Sequence, residues 1–388
     1  MSTVSIAADA PDVLEVEDLE VTYSRGFGRE PFRAVSDLSF RVGRGETVSI
    51  VGESGSGKTT TGSAILGLAR VDSGSIRLKG EEIARAGVRR RRALASSLQA
   101  VFQDPFSSLD PSQTIGEIVA EPLRVAGPRL GGAEVARRVA AILARVGIAP
   151  TAVSKFPAEF SGGQRQRIAI ARALVLEPEI VVCDEAVSAL DVSVQAQVLN
   201  LLADLQRDAG TSYIFISHNM AVVRHISDRV VVLYRGRVME QGPAAAVCDT
   251  PAHPYTRSLL ASVPVPDVTA QRERREARTG SIVASGIAPK DGVGCPFAPR
   301  CPFAQEKCVA VTPPLEELPD GRSVACVRVH EIPPPDARSV LSAGMTVPTT
   351  VEEALATKAD GSLEAGGQVS TTDVSTTDVS TTDEGATA

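Results

Sequence analysis

Tryptophan is absent from the 388-residue chain, and all aromatic residues together make up 4% of it. Recognition of nucleic acid through stacked rings therefore has little to work with. The basic run Arg89-Arg90-Arg91-Arg92 has no aromatic neighbour after it until Phe102, so it is read as a solvated helix face. Long hydrophobic runs are missing as well. Charged residues interrupt every apolar stretch before it approaches the roughly 20 residues needed to span a bilayer. The N-terminal stretch MSTVSIAADAPDV lacks the basic and apolar regions of a signal peptide. Together these absences predict a soluble, cytosolic chain. Cysteine is scarce, at six residues, and four of them fall between Cys295 and Cys326. In a reducing compartment, thiols clustered in this way suggest metal ligands or redox groups before disulfides.

A basic excess is also lacking. The net charge of −7 comes from the C-terminal end, where residues 351–388 hold eight acidic groups against one lysine. The preceding 350 residues carry 39 groups of each sign, so the body offers no whole-domain attraction for nucleic acid or a membrane surface. No nucleic-acid partner is expected. The end of the chain includes three consecutive copies of Val-Ser-Thr-Thr-Asp beginning at Val369. Such a polar, acidic segment buries too little surface to offset its ordering entropy. Disorder is predicted for residues 336–388 and for residues 1–11.

What remains is 43% hydrophobic and long enough for one large domain with a smaller unit attached. Short Val/Ile-rich runs at 47–52, 179–185 and 212–217 alternate with helical patterns. Continuous apolar strands of this kind predict an α/β fold with a mostly parallel core sheet covered on both faces. RVVVLY (229–234) and RVMEQG (237–242) flank a two-residue Arg-Gly turn and predict a hairpin. GGAEVARRVAAILARVGI (131–148) has helical periodicity and is read as an insertion outside the sheet.

Gly52-Glu53-Ser54-Gly55-Ser56-Gly57-Lys58-Thr59 matches the phosphate-loop pattern G-x-x-x-x-G-K-[ST], and Thr60 follows it. Glycines let main-chain N–H groups curl around phosphate oxygens, and the next helix directs its positive end at them. Lys58 would reach the β- and γ-phosphates, and the Thr59 hydroxyl would meet Mg²⁺. An ordinary Gly-rich turn is the weaker reading, because a strand and a helix flank the loop. IVVCDE (180–185) supplies the companion strand. Asp184 at its end can hold Mg²⁺, and Glu185 can act as general base toward water. Ser161, Gly162 and Gly163 open a further helix whose N–H groups form a second anion-binding end. One nucleotide needs one cradle, so the second suits the phosphate held by a partner.

These motifs, with VFQDP (101–105), SALD (188–191) and the ISH that ends at His218, occur in an order that resembles the ATP-binding subunit of an ABC transporter. The resemblance implies the P-loop NTPase fold and ATP hydrolysis with ATP and Mg²⁺. It further implies adenine stacking on Tyr23, and Gln103 sensing Mg²⁺ and the attacking water. Ser161 to Gln164 would contact ATP held by the opposite subunit. Asp191 would communicate across the dimer, and His218 would grip the γ-phosphate. Two departures are visible: Ala186-Val187 where Pro-Thr is usual, and Phe160 where leucine is usual. Neither removes a group that touches phosphate. Implied boundaries are an ATPase domain over 12–250, with a helical subdomain about 104–165, and an extension over 251–335.

HPYT (253–256) and GCPFAPRCPFAQEKC (294–308) are similar to the C-terminal extension of the oligopeptide/dipeptide importer group. That narrows the expected role to an ATPase energising peptide import, with nickel or oligosaccharide import as the alternative. A nontransport ABC ATPase is the more distant one. Expected partners are a second ATPase subunit, two membrane permeases and, indirectly, an extracytoplasmic substrate-binding protein. The chain would then sit peripherally on the cytoplasmic face of the cell membrane. Cys295, Cys301, Cys308 and Cys326 follow the spacing C-x₅-C-x₆-C-x₁₇-C. Zinc usually takes tighter pairs, an iron–sulfur cluster tolerates longer gaps, and unliganded thiols are the third reading. The resemblance favours a [4Fe–4S] cluster. Cys183, in a buried strand, and Cys248, in an expected loop, are set aside as ligands.

Overall fold

A computed structural model describes residues 12–24, 26, 30–104, 106–126, 129–263, 287–289 and 292–335. The two segments predicted to be disordered lie outside the described residues.

Among the described residues the strands form two sheets. The larger is built on five parallel strands in the order β9 (Arg229–Tyr234), β3 (Thr47–Val51), β8 (Ser212–Ser217), β7 (Ile180–Asp184) and β6 (Leu98–Val101). Its far side is extended by three antiparallel strands, β10 (Arg237–Pro243), β12 (Ser323–Val324) and β11 (Glu316–Glu317). The predicted hairpin is thus present, as β9 and β10. A second sheet was not foreseen from the sequence. It is antiparallel and pairs β2 (Phe32–Val42), β1 (Leu14–Tyr23), β4 (Ser73–Leu78) and β5 (Glu81–Glu82).

The parallel strands are buried on both faces because each face feeds a different core. Val181, Cys183, Tyr213 and Phe215 point toward Ile168, Leu199 and Leu202, which sit on α5 (Gly162–Leu174) and α6 (Val192–Ala209). The alternate residues Val182, Ile214 and Ile216 point the other way, toward Ile65 of α1 (Lys58–Leu66) and the second sheet. This period-two division explains the unbroken apolar runs in the sequence. Among the described residues the remaining α-helices are α2 (Val88–Leu94), α3 (Ile115–Val125), α4 (Gly132–Arg145), α7 (Met220–Ile226), α8 (Ala244–Asp249), α9 (Pro254–Ala261) and α10 (Lys307–Ala310). α4 confirms the helical reading of 131–148, and it packs with α3 and α5 in the first core.

Two local expectations need correction. Arg89, Arg90 and Arg92 are exposed as foreseen, but Arg91 is half-buried and donates to the carbonyls of Ile65 (2.7 Å) and Ile83 (2.5 Å). It ties α2 to the end of α1 instead of facing solvent. Cys248 is buried in α8, not in a loop, because Ala244 and Val247 beside it complete an apolar face.

A third core explains how the segment after residue 250 docks. Val51, Val230, Val232 and Tyr234 of the large sheet pack with Met239, Val247, Tyr255 and Phe297, and with Cys295, Cys301 and Cys308. Beside it, Glu240 on β10 is fully buried. Its carboxylate accepts the N–H groups of Ala252 and His253, each at 2.9 Å, and pairs with Arg322 at 3.3 Å. Arg322 also donates to Asp320 and to the carbonyls of Ala246 and Thr250. Burial pushes the His253 ring down to about 3, so it stays neutral, and its Nδ1 accepts the Tyr255 N–H at 3.0 Å. The extension therefore shares the sheet's core and is not a separate appendage.

Candidate active site

The loop from Gly52 to Gly57 joins β3 to α1, leaving the centre of the parallel sheet at its carboxyl end. Its backbone is set by neighbours. Gly57 has φ of +105°, and a Cβ there would lie 2.5 Å from the Ala34 carbonyl oxygen, so only glycine fits. Lys58 is buried and its Nζ donates back to the carbonyls of Gly52 and Glu53, both at 2.9 Å. Burial lowers the lysine's pKa, while Glu185, Asp184 and Glu53 work against that shift and favour the ammonium form.

Asp184 ends β7 beside this loop, with Oδ1 3.4 Å from the Thr59 hydroxyl. Burial, and then the adjacent Glu185, raise its pKa; a cation at the site would relieve both. Two protein oxygens are what Mg²⁺ commonly takes when phosphates and water supply the rest. Glu185 follows with φ of +47°, a costly conformation for a residue other than glycine, and its N–H donates to the Ile216 carbonyl at 3.0 Å. That twist carries its carboxylate to His218, whose Nδ1 lies 3.2 Å from Glu185 Oε1. Lys58, Thr59, Asp184, Glu185 and His218 thus meet at the ends of three adjacent strands, from sequence positions 160 residues apart. An open α/β sheet places its ligand crevice at the carboxyl ends of its strands.

The other expected contacts are not brought to the loop. Among the described residues, no hydrogen bond joins Tyr23, Gln103, Ser161, Gly162, Gly163, Gln164 or Asp191 to residues 52–60. Tyr23 ends β1 with its ring 44% exposed, and Gln103 follows β6 on the surface. Ser161 caps α5: its hydroxyl accepts the Gln164 N–H at 3.3 Å, and the Gln164 side chain accepts the Ser161 N–H at 3.0 Å. Asp191 caps α6 by accepting the Val194 N–H at 2.9 Å. These two helix starts are close neighbours, since a Cβ on Gly163 would lie 2.4 Å from Val194. Phe160, one of the unusual residues, is partly buried against the first core.

The chain matches the family profile described as "ABC transporter" over residues 35–188, and that described as "Oligopeptide/dipeptide transporter, C-terminal region" over residues 239–308. It is 45% identical over 327 residues to the oligopeptide transport ATP-binding protein OppF of Escherichia coli (strain K12), covering 82% of this chain and 97% of that protein. The chain belongs to the oligopeptide/dipeptide ABC transporter ATP-binding family. A putative peptide import ATP-binding protein of Brucella abortus (strain 2308) is 48% identical over 317 residues, spanning 80% of this chain and 91% of the relative. Among solved structures, cbiO1 from Clostridium perfringens, part of the ABC transporter complex cbiONQ, superposes with a TM-score of 0.55 at 30% identity. The match covers 61% of this chain and 90% of that one. The ATP-binding cassette MJ0796, in a dimeric post-hydrolysis state bound to ADP and Pi, gives 0.54 at 27% identity, covering 60% of this chain and 98% of that one. Members of this family hydrolyse ATP, and this chain is accordingly an ATPase.

In the extension of this ABC protein, Cys295, Cys301, Cys308 and Cys326 line one small cavity, with His253, Phe303 and Arg328 among the other walls. Burial pushes the Cys295 and Cys301 thiols up to about 11 and raises that of Cys326. Among the described residues, no group of three or more His, Cys, Asp or Glu side chains is disposed to hold a metal ion. That arrangement supports neither zinc nor an iron–sulfur cluster. Two residues that lie in the HPYT and cysteine segments, but for which those motifs imply no role at the loop, also reach the site: Tyr255 and Arg300 both contact Glu53. No local pattern marks these contacts, since each spans more than 200 residues of chain.

Proposed function

We propose that the chain is the ATP-hydrolysing subunit of an oligopeptide or dipeptide importer. On this reading it lies peripherally on the cytoplasmic face of the membrane and pairs with a second, paralogous ATPase subunit. Two separate permease subunits carry the substrate, which an extracytoplasmic binding protein delivers. The observation that carries the reading is a site whose parts lie apart: the phosphate loop is complete, while among the described residues the helix starts at Ser161 and Asp191 make no hydrogen bond to it. Among the described residues, no helix is long and apolar enough to cross a membrane, which fits permeases supplied by other chains.

Two such subunits, facing each other, would enclose two ATP molecules. Main-chain N–H groups of residues 52–60 wrap the phosphates, and Lys58 balances their charge. Tyr23 stacks on adenine. Thr59 and Asp184, with Gln103, would hold Mg²⁺, which supplies charge neutralisation at the phosphates when bound. Glu185 accepts the proton of the attacking water, His218 holds the γ-phosphate, and the partner's helix start at Ser161 closes the site. Nucleotide draws the subunits together and hydrolysis releases them. Co-purification from the native cells tests this: a tagged chain is expected to recover integral membrane permeases. Recovery of ribosomes or nucleic acid alone would overturn it.

The cysteines are assigned to a [4Fe–4S] cluster held by Cys295, Cys301, Cys308 and Cys326. Support comes from the hydrogen bonding of the sulfurs. Cys295 accepts from the main chain of Phe297 and Ala298, Cys301 from Phe303, Cys326 from Arg328, and Cys308 from Gln305 at 3.4 Å. Donors aimed at each sulfur stabilise thiolates, and a four-iron cluster takes ligands spread around a body and not around a point. Its role there is a structural staple. Anaerobic purification is expected to give about four iron and four sulfide per chain, with Cys301→Ser losing most of both. Unchanged iron in that variant would rule the assignment out.

A further inference from the structure

Glu53, the second residue of the phosphate loop, is gripped from the C-terminal extension at two points. Its N–H donates to the Tyr255 hydroxyl oxygen at 2.9 Å, and its Oε2 accepts from the Arg300 guanidinium at 2.8 Å. Its carbonyl meanwhile accepts Lys58 Nζ. The Glu53 residue is therefore fixed at its amide, its carbonyl and its carboxylate, and two of those three partners come from beyond residue 250.

The first grip is itself rigid. The Tyr255 ring is completely buried, with its centroid 4.6 Å from that of Tyr234 and 5.3 Å from that of Phe297. Its hydroxyl cannot swing away, and burial raises its pKa so that it stays neutral. Arg300 ends a one-turn 3₁₀ helix (Ala298–Arg300) between Cys295 and Cys301 and extends past the Phe297 ring, 5.7 Å from its centroid. The partner it meets, the loop from Gly52 to Gly57, has three glycines with positive φ and gains little stiffness from its own residues.

We propose that Tyr255 and Arg300 are positioning residues for the phosphate loop. They hold the Glu53 peptide in the orientation that presents the loop to ATP, so the extension is a working part of the nucleotide site. The proposal rests on the ATPase reading of that loop. Without the Tyr255 hydroxyl, the Glu53 N–H loses its partner, and ATP must order the loop as it binds. Affinity falls, while Glu185 and His218, which touch neither grip, keep their geometry. The signature is a KM effect separated from kcat.

The test uses the full chain with Tyr255→Phe, Arg300→Ala and Arg300→Lys. Measured are Mg-ATP affinity, kcat and KM for ATP, melting temperature, and amide hydrogen exchange of the loop without nucleotide. Tyr255→Phe keeps the ring packing and removes one hydrogen bond. It is expected to weaken ATP binding and raise KM about fivefold, the equivalent of one such bond, with kcat and melting temperature held. The loop amides are expected to exchange faster, and those of β3 as before. Arg300→Ala is expected to weaken binding about threefold, with Arg300→Lys restoring most of it. Unchanged KM and unchanged exchange in Tyr255→Phe would overturn the proposal. So would losses of kcat and KM that track a falling melting temperature, which mark a merely structural role. A wild-type chain that binds no ATP would instead overturn the ATPase reading. The exchange arm, run without nucleotide, still reports whether the grip exists.

Discussion

Glu185→Gln is expected to lower ATP turnover by about 10²–10⁴-fold while leaving ATP affinity close to that of the unaltered chain. The expectation follows from position. Glu185 sits one residue past the end of β7, turned by a positive φ so that its carboxylate faces His218 at 3.2 Å. Asp184 cannot take its place, because its oxygen faces the Thr59 hydroxyl. Glutamine preserves the size and the contact to His218 but cannot accept a proton from water. The main-chain cradle, Lys58 and Thr59 are untouched, so binding persists. Steady-state kinetics together with a nucleotide-binding assay separate the two quantities. A kcat within about fivefold of the original would remove Glu185 from the role of base. A stable ATP-bound dimer in the variant, seen by size-exclusion chromatography, is the companion result.

The second large effect concerns stability. Arg322→Ala is expected to cost about 3–5 kcal/mol, because it leaves the fully buried Glu240 carboxylate without its cation. For a chain of this size that is a fall in melting temperature on the order of 10 °C. The loss is also expected to depend on pH. Burial raises the folded-state pKa of Glu240 above its usual value, and Arg322 opposes the shift. Removing Arg322 raises it further. A carboxyl with a raised folded-state pKa contributes stability that is present below the unfolded value, about 4.5, and is lost as pH rises through the folded value. The variant should therefore lie closer to the parent at pH 5 than at pH 8. Adding Glu240→Gln to Arg322→Ala should recover part of the loss at pH 8. Denaturant titrations at the two pH values check this, and a penalty independent of pH would show that Glu240 is not the group responsible.

Much of the ATPase site could be read from the chain because its chemistry is local. Gly52 to Thr60 is a contiguous segment, and Asp184 and Glu185 are adjacent on a strand whose burial shows as an unbroken apolar run. The antiparallel sheet was missed for the opposite reason. β1 and β2 mix charged and apolar residues, and β1 pairs with β2 through three shifts in register, so no clean alternation survives in the sequence. Arg91 looked like one of four equivalent arginines, and only the positions of Ile65 and Ile83 single it out. The grip of Tyr255 and Arg300 on Glu53 depends on the third core bringing distant segments together. HPYT and the cysteine segment were each legible as motifs, but nothing in either says what it touches.

The two strands that the extension adds to the large sheet carry one more consequence. β12 pairs with β10 at Glu240 and Gln241, and β11 then forms the margin of the sheet. That last strand is two residues long, and both are exposed glutamates. A short acidic margin gives a neighbouring copy almost no ladder to extend, and it repels an identical strand. Were the chain to stop after β10, the margin would instead be a seven-residue strand backed by Val238 and Met239, a ready template for edge-to-edge self-association. The extension thus leaves a short acidic margin at that side of the sheet.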